Sequence, residues 1–249
     1  MFLTKYSILW LLLIAMRVSA ISYPNLKNLP VYSCKLVDKI TGQYCSSVRI
    51  TSNIFLTAKH CSAHFTESSE VACPEPANPA VFNFSSFTIE SELEADDLIA
   101  IRSEKRYVGR RPRIPTTYDE AILIQAYGKC YALGYGVGYK GKIAFNDTEN
   151  MLPNEVHRGQ GPVQFGYSFS SNVLSLFVNS NVFEFNKAIN PGDSGGGLIC
   201  LDEAENEYLI GIHKQGSNSI LWSDRSFSIN LAFYREWLSE LMKNNKDYQ

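Results

Sequence analysis

Three short segments of this 249-residue chain carry the residue types needed for nucleophilic acyl chemistry. Thr57-Ala58-Lys59-His60-Cys61 offers an imidazole, Asp97-Leu98-Ile99-Ala100-Ile101 a carboxylate, and Gly192-Asp193-Ser194-Gly195-Gly196 a hydroxyl. A serine hydroxyl is a weak nucleophile until an imidazole takes its proton and a carboxylate orients that imidazole. Candidates for all three roles therefore occur, in the order His60, Asp97, Ser194. The glycines around Ser194 suit the same chemistry. A chain without Cβ atoms can approach closely and aim N–H groups at a developing oxyanion.

These signals differ in weight. An isolated histidine is usually structural, but His60 is followed by a bridgeable cysteine and has Gly-Asp-Ser-Gly-Gly downstream. The acid has two rivals. Asp96 is adjacent to Asp97, and Asp119-Glu120-Ala121-Ile122-Leu123 presents a similar acidic start to an apolar run. Asp119 lies only eleven residues before Cys130, too close for the strand and crossover that would have to intervene.

The elements that must position these groups read as strands. Short runs rich in Val, Ile, Phe and Tyr cover residues 47–57, 80–89, 98–102, 121–127, 130–134, 172–185, 197–201 and 208–213. Gly, Pro, Asn and Ser punctuate the gaps, and strands at this spacing predict an all-β barrel or sandwich. One segment differs: residues 231–242 place apolar groups at 231, 234, 237/238 and 241, the spacing of an amphipathic helix, before a polar tail.

Composition narrows the function. Twenty-three basic and 25 acidic residues give a net charge of −2, and no polybasic run is present. Neither a nucleic-acid binder nor a membrane-surface protein is suggested. Residues 1–20 read as a secretory signal: Lys5, then the apolar run from Ile8 to Met16, then Val18-Ser19-Ala20 as a cleavage site. Nine apolar residues fall short of the roughly 20 that span a bilayer, so no stable membrane insertion is expected. Export, to the outside or to a periplasm, also suits the six cysteines, Cys34, Cys45, Cys61, Cys73, Cys130 and Cys200. An even count in an exported chain favours disulfides, with 15 pairings open. No Cys-x-x-Cys pair is present, so metal is not expected. Asn83-Phe84-Ser85 and Asn146-Asp147-Thr148 fit the N-glycosylation pattern.

With these flanks, the His60, Asp97, Ser194 order resembles the chymotrypsin/trypsin family of serine endopeptidases. The likeness runs from about Tyr44 to Trp237, through Tyr44-Cys45-Ser46-Ser47 and Cys130-Tyr131-Ala132-Leu133-Gly134-Tyr135-Gly136. It implies two six-stranded antiparallel β-barrels with a C-terminal α-helix, in one protease domain over residues 21–249. The boundary between barrels is placed within residues 109–127. It also implies Cys45–Cys61 and Cys130–Cys200 disulfides, after which Cys34 and Cys73 remain as a third pair. The backbone N–H groups of Gly192 and Ser194 become the oxyanion donors. Protein or peptide substrates, no cofactor, no metal and a monomer follow from the same likeness. The alternative is a catalytically silent homologue that serves as a binding or scaffold module.

The chain departs from that family at several points. By the resemblance, Ala188 falls at the base of the primary specificity pocket, where trypsin-like members carry an aspartate to hold a cationic side chain, so cleavage after Lys or Arg is not expected. Ile189, Gly216 and Ser226 complete an uncharged pocket. Gly211-Ile212-His213 is similar to glutamate- or glutamine-selective members of the wider fold, since an imidazole can donate a hydrogen bond to a carboxylate or amide. Lys214-Gln215-Gly216 replaces the usual Ser-Trp-Gly, which leaves two readings of Lys214: an ion pair with the acid that weakens its hold on His60, or a side chain pointing to solvent. Gly197 replaces a customary proline and Tyr135 a tryptophan. In the family, a new N-terminal amine buries against the aspartate at Asp193. Here no basic residue precedes an Ile-Val-Gly-Gly stretch. Signal cleavage after Ala20 would expose Ile21 directly, an expectation that N-terminal sequencing of the secreted protein tests.

Overall fold

The computed structural model describes residues 30–78, 81–93, 96–127, 129–136, 157–158, 182–185, 189, 191–216 and 226–243. Residues 1–20, read above as a secretory signal, lie outside the described residues, as do Ile21, Asn146, Ala188 and most of the run 172–185.

Six strands close the first sheet: β1 (Ser33–Asp38), β2 (Tyr44–Arg49), β3 (Ile54–Ala58), β4 (Ser69–Pro74), β5 (Phe82–Leu93) and β6 (Leu98–Ser103). Their order around the barrel is β1-β2-β3-β6-β5-β4. The run 47–57, read as one strand, is instead divided between β2 and β3. Thr51 breaks it, its hydroxyl accepting from the N–H of Asn53 at 3.3 Å and of Ile54 at 2.9 Å. Such side-chain to backbone bonds favour a turn over a continuing ladder.

The second sheet holds β7 (Lys129–Gly134), β8 (His157–Arg158), β9 (Val182–Phe185), β10 (Gly197–Leu201), β11 (Glu207–Gly216) and β12 (Ser226–Asn230). Its order is β8-β7-β10-β11-β12-β9, and over the described residues no pairing joins the two edge strands. Cys34 is joined to Cys73, Cys45 to Cys61 and Cys130 to Cys200. The Cys130 and Cys200 pair sits directly across the β7–β10 ladder.

Residues 121–127, read as a strand, are helical: α1 spans Tyr118–Tyr127. The apolar Ala-Ile-Leu-Ile run gave the strand reading, but the caps decide otherwise. The Thr117 hydroxyl accepts from the N–H of Glu120 at 3.1 Å, and the Glu120 carboxylate accepts from the Thr116 N–H at 2.7 Å. This reciprocal arrangement satisfies N–H groups that a helix start would otherwise leave bare. Ala121 is buried, and Ile124, one turn on, joins a core with Cys130, Ala132, Leu198, Cys200 and Ile210.

At the C-terminus Asn230 caps a 3-10 turn (Leu231–Tyr234), its side-chain oxygen accepting from Ala232 N–H. The chain continues as α2 (Arg235–Lys243). Leu231, Leu238 and Leu241 are buried in the main core, with Tyr234, Trp237 and Met242 packed against it. That core also takes Val48, Ile54 and Leu56 from the first sheet and Leu133, Ile199 and Ile212 from the second, so the two sheets pack on one another. Trp237 donates its indole N–H to Ser91 Oγ at 2.8 Å, tying α2 to the first barrel.

Two buried charges brace the connections. The Arg49 guanidinium, fully buried, donates to the carbonyls of Tyr107, Gly109 and Arg110 as the chain leaves the first sheet. Burial, with the charge of Arg111, draws its pKa down to about 10. Asp38 accepts from the N–H groups of Ile40 and Thr41 and from the hydroxyls of Thr66, Ser68 and Ser69. The β1–β2 turn is thereby joined to the segment that follows His60.

Candidate active site

Strand register brings His60 and Asp97 together. β3 pairs antiparallel with β6 and sets Ala58 opposite Leu98, so the residues just after β3 face those just before β6. Lys59 N–H donates to the Asp97 carbonyl at 2.9 Å. His60 lies in a 3-10 turn (Lys59–His64), and Asp97 takes a left-handed backbone with φ 57°. That conformation is uncommon for a residue with a side chain, though asparagine and aspartate tolerate it best. It aims the carboxylate back over the turn. Asp97 Oδ1 accepts from the His60 backbone N–H at 2.7 Å, and Oδ2 lies 3.0 Å from the imidazole Nδ1.

The charge state of this pair follows from its surroundings. Burial pushes the Asp97 pKa up, but the side-chain and backbone hydrogen bonds from His60 outweigh it, helped by the charges of His60 and Lys214. The net shift is below the usual carboxylate value. An ionised carboxylate only accepts, so Nδ1 carries the proton and Nε2 is left as the basic nitrogen. The imidazole is 46% exposed and Asp97 only 16%, so the carboxylate is sheltered while the imidazole remains accessible.

Ser194 sits on a loop held from three sides. Ser46 N–H donates to the Ser194 carbonyl at 2.8 Å, and Gly195 N–H donates to the His213 carbonyl at 2.8 Å. The Asp193 carboxylate, buried, accepts from Gly136 N–H at 2.6 Å. Gly192 has φ 94°, and a Cβ there would meet the Tyr44 ring at 2.3 Å, so only glycine fits. Among the described residues, neither the N–H of Gly192 nor that of Ser194 is spent on another group. Sγ of Cys61, next to His60, lies 3.8 Å from the Ser194 carbonyl oxygen. No hydrogen bond joins His60 Nε2 to Ser194 Oγ among the described residues. In enzymes without substrate this contact is often long and tightens only in the complex.

Of the other acidic candidates, Asp119 lies in the first turn of α1, and it is Asp97 that hydrogen-bonds His60. At the expected pocket, Gly216 and Ser226 pair across β11 and β12. Ile189 is buried in the core around the Cys130–Cys200 bridge. His213 is fully buried, with Nδ1 2.7 Å from Ser228 Oγ. Burial lowers its pKa to about 3, against the opposing pull of backbone bonds at Leu133 and Gly197. The imidazole is therefore neutral near pH 7. Lys214 is half-buried. Among the described residues, no group of three or more His, Cys, Asp or Glu is placed to hold a metal ion. No helix among them is long and apolar enough to cross a membrane.

Ser46 went unread in the sequence. The hydroxyl stands immediately after a bridged cysteine, and that position was the signal available.

Comparison with known families gives one clear result. The family model described as Trypsin matches residues 30–238, most of the chain, and the protein belongs to the trypsin family. No curated protein matches the chain.

Proposed function

We propose that the protein is a secreted serine endopeptidase that hydrolyses peptide bonds through an acyl-enzyme. The observation that carries this reading is the double hydrogen bond from His60 to Asp97, beside a loop whose Gly192 and Ser194 N–H groups are unspent among the described residues. Ser194 Oγ attacks the scissile carbonyl carbon and passes its proton to His60 Nε2. The carbonyl oxygen gains the charge and is received by the N–H groups of Gly192 and Ser194, worth roughly 3 kcal/mol per donor. As the C–N bond breaks, the imidazolium gives the proton to the leaving amine. Water, activated by the same imidazole, then releases the acid and restores Ser194. Asp97 orients the ring and stabilises the imidazolium.

Around this chemistry the finer reading is a second sheet that closes as a barrel, cleavage of residues 1–20, and a pocket with no counter-charge for Lys or Arg. His213, neutral and buried, supports the last point. A second reading, a silent homologue acting as a binding module, draws on the missing Nε2–Oγ contact and on Lys214 beside Asp97. A fluorophosphonate probe separates the two. The peptidase reading expects covalent labelling that Ser194→Ala abolishes; no labelling of the folded wild-type protein favours the binding module.

A further inference from the structure

We propose that Ser46 is a positioning residue of the oxyanion loop, one that holds the carbonyls on both sides of Asp193 and so aims the N–H groups of Gly192 and Ser194. This rests on the reading of Ser194 as the nucleophile.

Ser46 lies in β2, fully buried, and 146 positions from Gly192 in the chain. Its hydroxyl is 2.7 Å from the Gly192 carbonyl oxygen and 2.8 Å from the Tyr135 nitrogen. A hydroxyl has one proton to give. The Tyr135 N–H can only donate, so it occupies a lone pair of Oγ, and the single proton goes to the Gly192 carbonyl. The direction of both bonds is thereby fixed. The backbone of the same residue completes the grip: its N–H donates to the Ser194 carbonyl at 2.8 Å, and its carbonyl accepts from Thr57 Oγ1 at 2.8 Å.

The two loop carbonyls that Ser46 holds, Gly192 and Ser194, flank Asp193. Fixing the Gly192 carbonyl fixes the peptide plane between Gly192 and Asp193, because the peptide unit is rigid and only two soft dihedrals per residue remain. The second anchor, at Ser194, fixes the plane that follows. The Asp193–Ser194 peptide lies between the two anchors, so the Ser194 N–H has little freedom to swing away from a substrate oxyanion; the Gly192 N–H, in the peptide just before the first anchor, is steadied through the held Gly192 residue and the Tyr44 ring over it. The neighbours of Ser46 reinforce this template. A Cβ at Gly195 would meet the Ser46 carbonyl oxygen at 2.2 Å, and the Tyr44 ring closes over Gly192. Consecutive N–H groups of Tyr135 and Gly136, just after β7, go to Ser46 Oγ and Asp193 Oδ1, so one short segment serves both holders.

Loss of the hydroxyl would leave the buried Tyr135 N–H and the half-buried Gly192 carbonyl without this partner, a cost the loop relieves by turning its peptide. Ser46→Gly and Ser46→Ala remove only Oγ-based bonds, since the backbone N–H and carbonyl remain. Ser46→Thr keeps the hydroxyl.

The test uses the full chain. We measure the fluorophosphonate labelling rate of Ser194 per folded molecule, kcat and KM on a peptide substrate, and deuterium uptake of the 191–196 peptide. Ala and Gly variants are expected to lose roughly 10- to 100-fold in labelling rate and kcat with KM little changed, less than the loss from deleting an oxyanion donor outright. Their 191–196 peptide exchanges faster, and the Thr variant recovers most of the loss. Folded Ala and Gly variants that label at the wild-type rate overturn the positioning role while leaving the peptidase reading intact. Wild-type protein that does not label overturns the peptidase reading and this role together. Unchanged deuterium uptake in the variants overturns the loop-holding even then.

Discussion

The Asp97 carboxylate takes hydrogen bonds from both the backbone N–H and the imidazole of the same residue, His60, at 2.7 and 3.0 Å. The backbone bond fixes the carboxylate relative to the turn, and the carboxylate then fixes the ring. This couples base orientation to the β3–β6 register and leaves little to side-chain rotamer choice.

Replacing Asp97 with asparagine tests that coupling. The amide retains an oxygen for the His60 backbone N–H, so the fold and melting temperature should change little. Its NH2 group can instead donate to Nδ1, which moves the ring proton to Nε2 and removes the base. We expect Asp97→Asn to lower kcat by about 10³- to 10⁴-fold with a smaller change in KM. A loss under tenfold would show that Asp97 does not set the tautomer.

Lys214 carries a second prediction. Its charge is one of the influences that hold the Asp97 pKa below the usual carboxylate value. A carboxylate with a lowered folded-state pKa stabilises the fold above its unfolded value near 3.9, and that contribution fades as pH falls through the folded-state value. Lys214→Gln should move the Asp97 titration upward, toward the unfolded value, so the variant is less stable than wild type near pH 5 and that difference closes as pH falls toward 2. Urea unfolding between pH 5 and pH 2 checks this. Superimposable pH profiles would show that Lys214 points away from the acid.

Much of the site was legible in the sequence because its chemistry constrains short, local runs. Gly192 to Gly196 needs glycine where φ is positive and where a Cβ would strike Tyr44, and such demands leave a mark in the residue types. His60 and Asp97 were legible as types, but their double hydrogen bond depends on a β3–β6 register that spans 37 positions. Ser46 was illegible for the same reason: a serine in a strand says nothing about a loop 146 positions away. The misread of α1 had a local cause. Thr117 and Glu120 carry a cap signal, but the apolar Ile-Leu-Ile run after them fits a strand as well as a helix, and only the cap bonds separate the two.

His213 gives the last prediction. Its ring is fully buried, Nδ1 lies 2.7 Å from Ser228 Oγ, and burial lowers its pKa from 6.5 to about 3. The folded protein therefore keeps this histidine neutral, whereas the unfolded chain takes up a proton below about pH 6.5. Between those two values the unfolded state binds more protons, so stability falls as pH drops, by about 1.4 kcal/mol per pH unit for this group. The loss starts near pH 6.5 and levels off near pH 3. In His213→Gln this component disappears, although the variant is less stable at pH 7 because the packed ring is gone. The measurement is the difference between wild-type and variant unfolding free energies across pH 7 to 4. A difference that narrows as pH falls is the expected result, while a constant difference would mean that His213 is protonated equally in both states and that the ring is open to solvent.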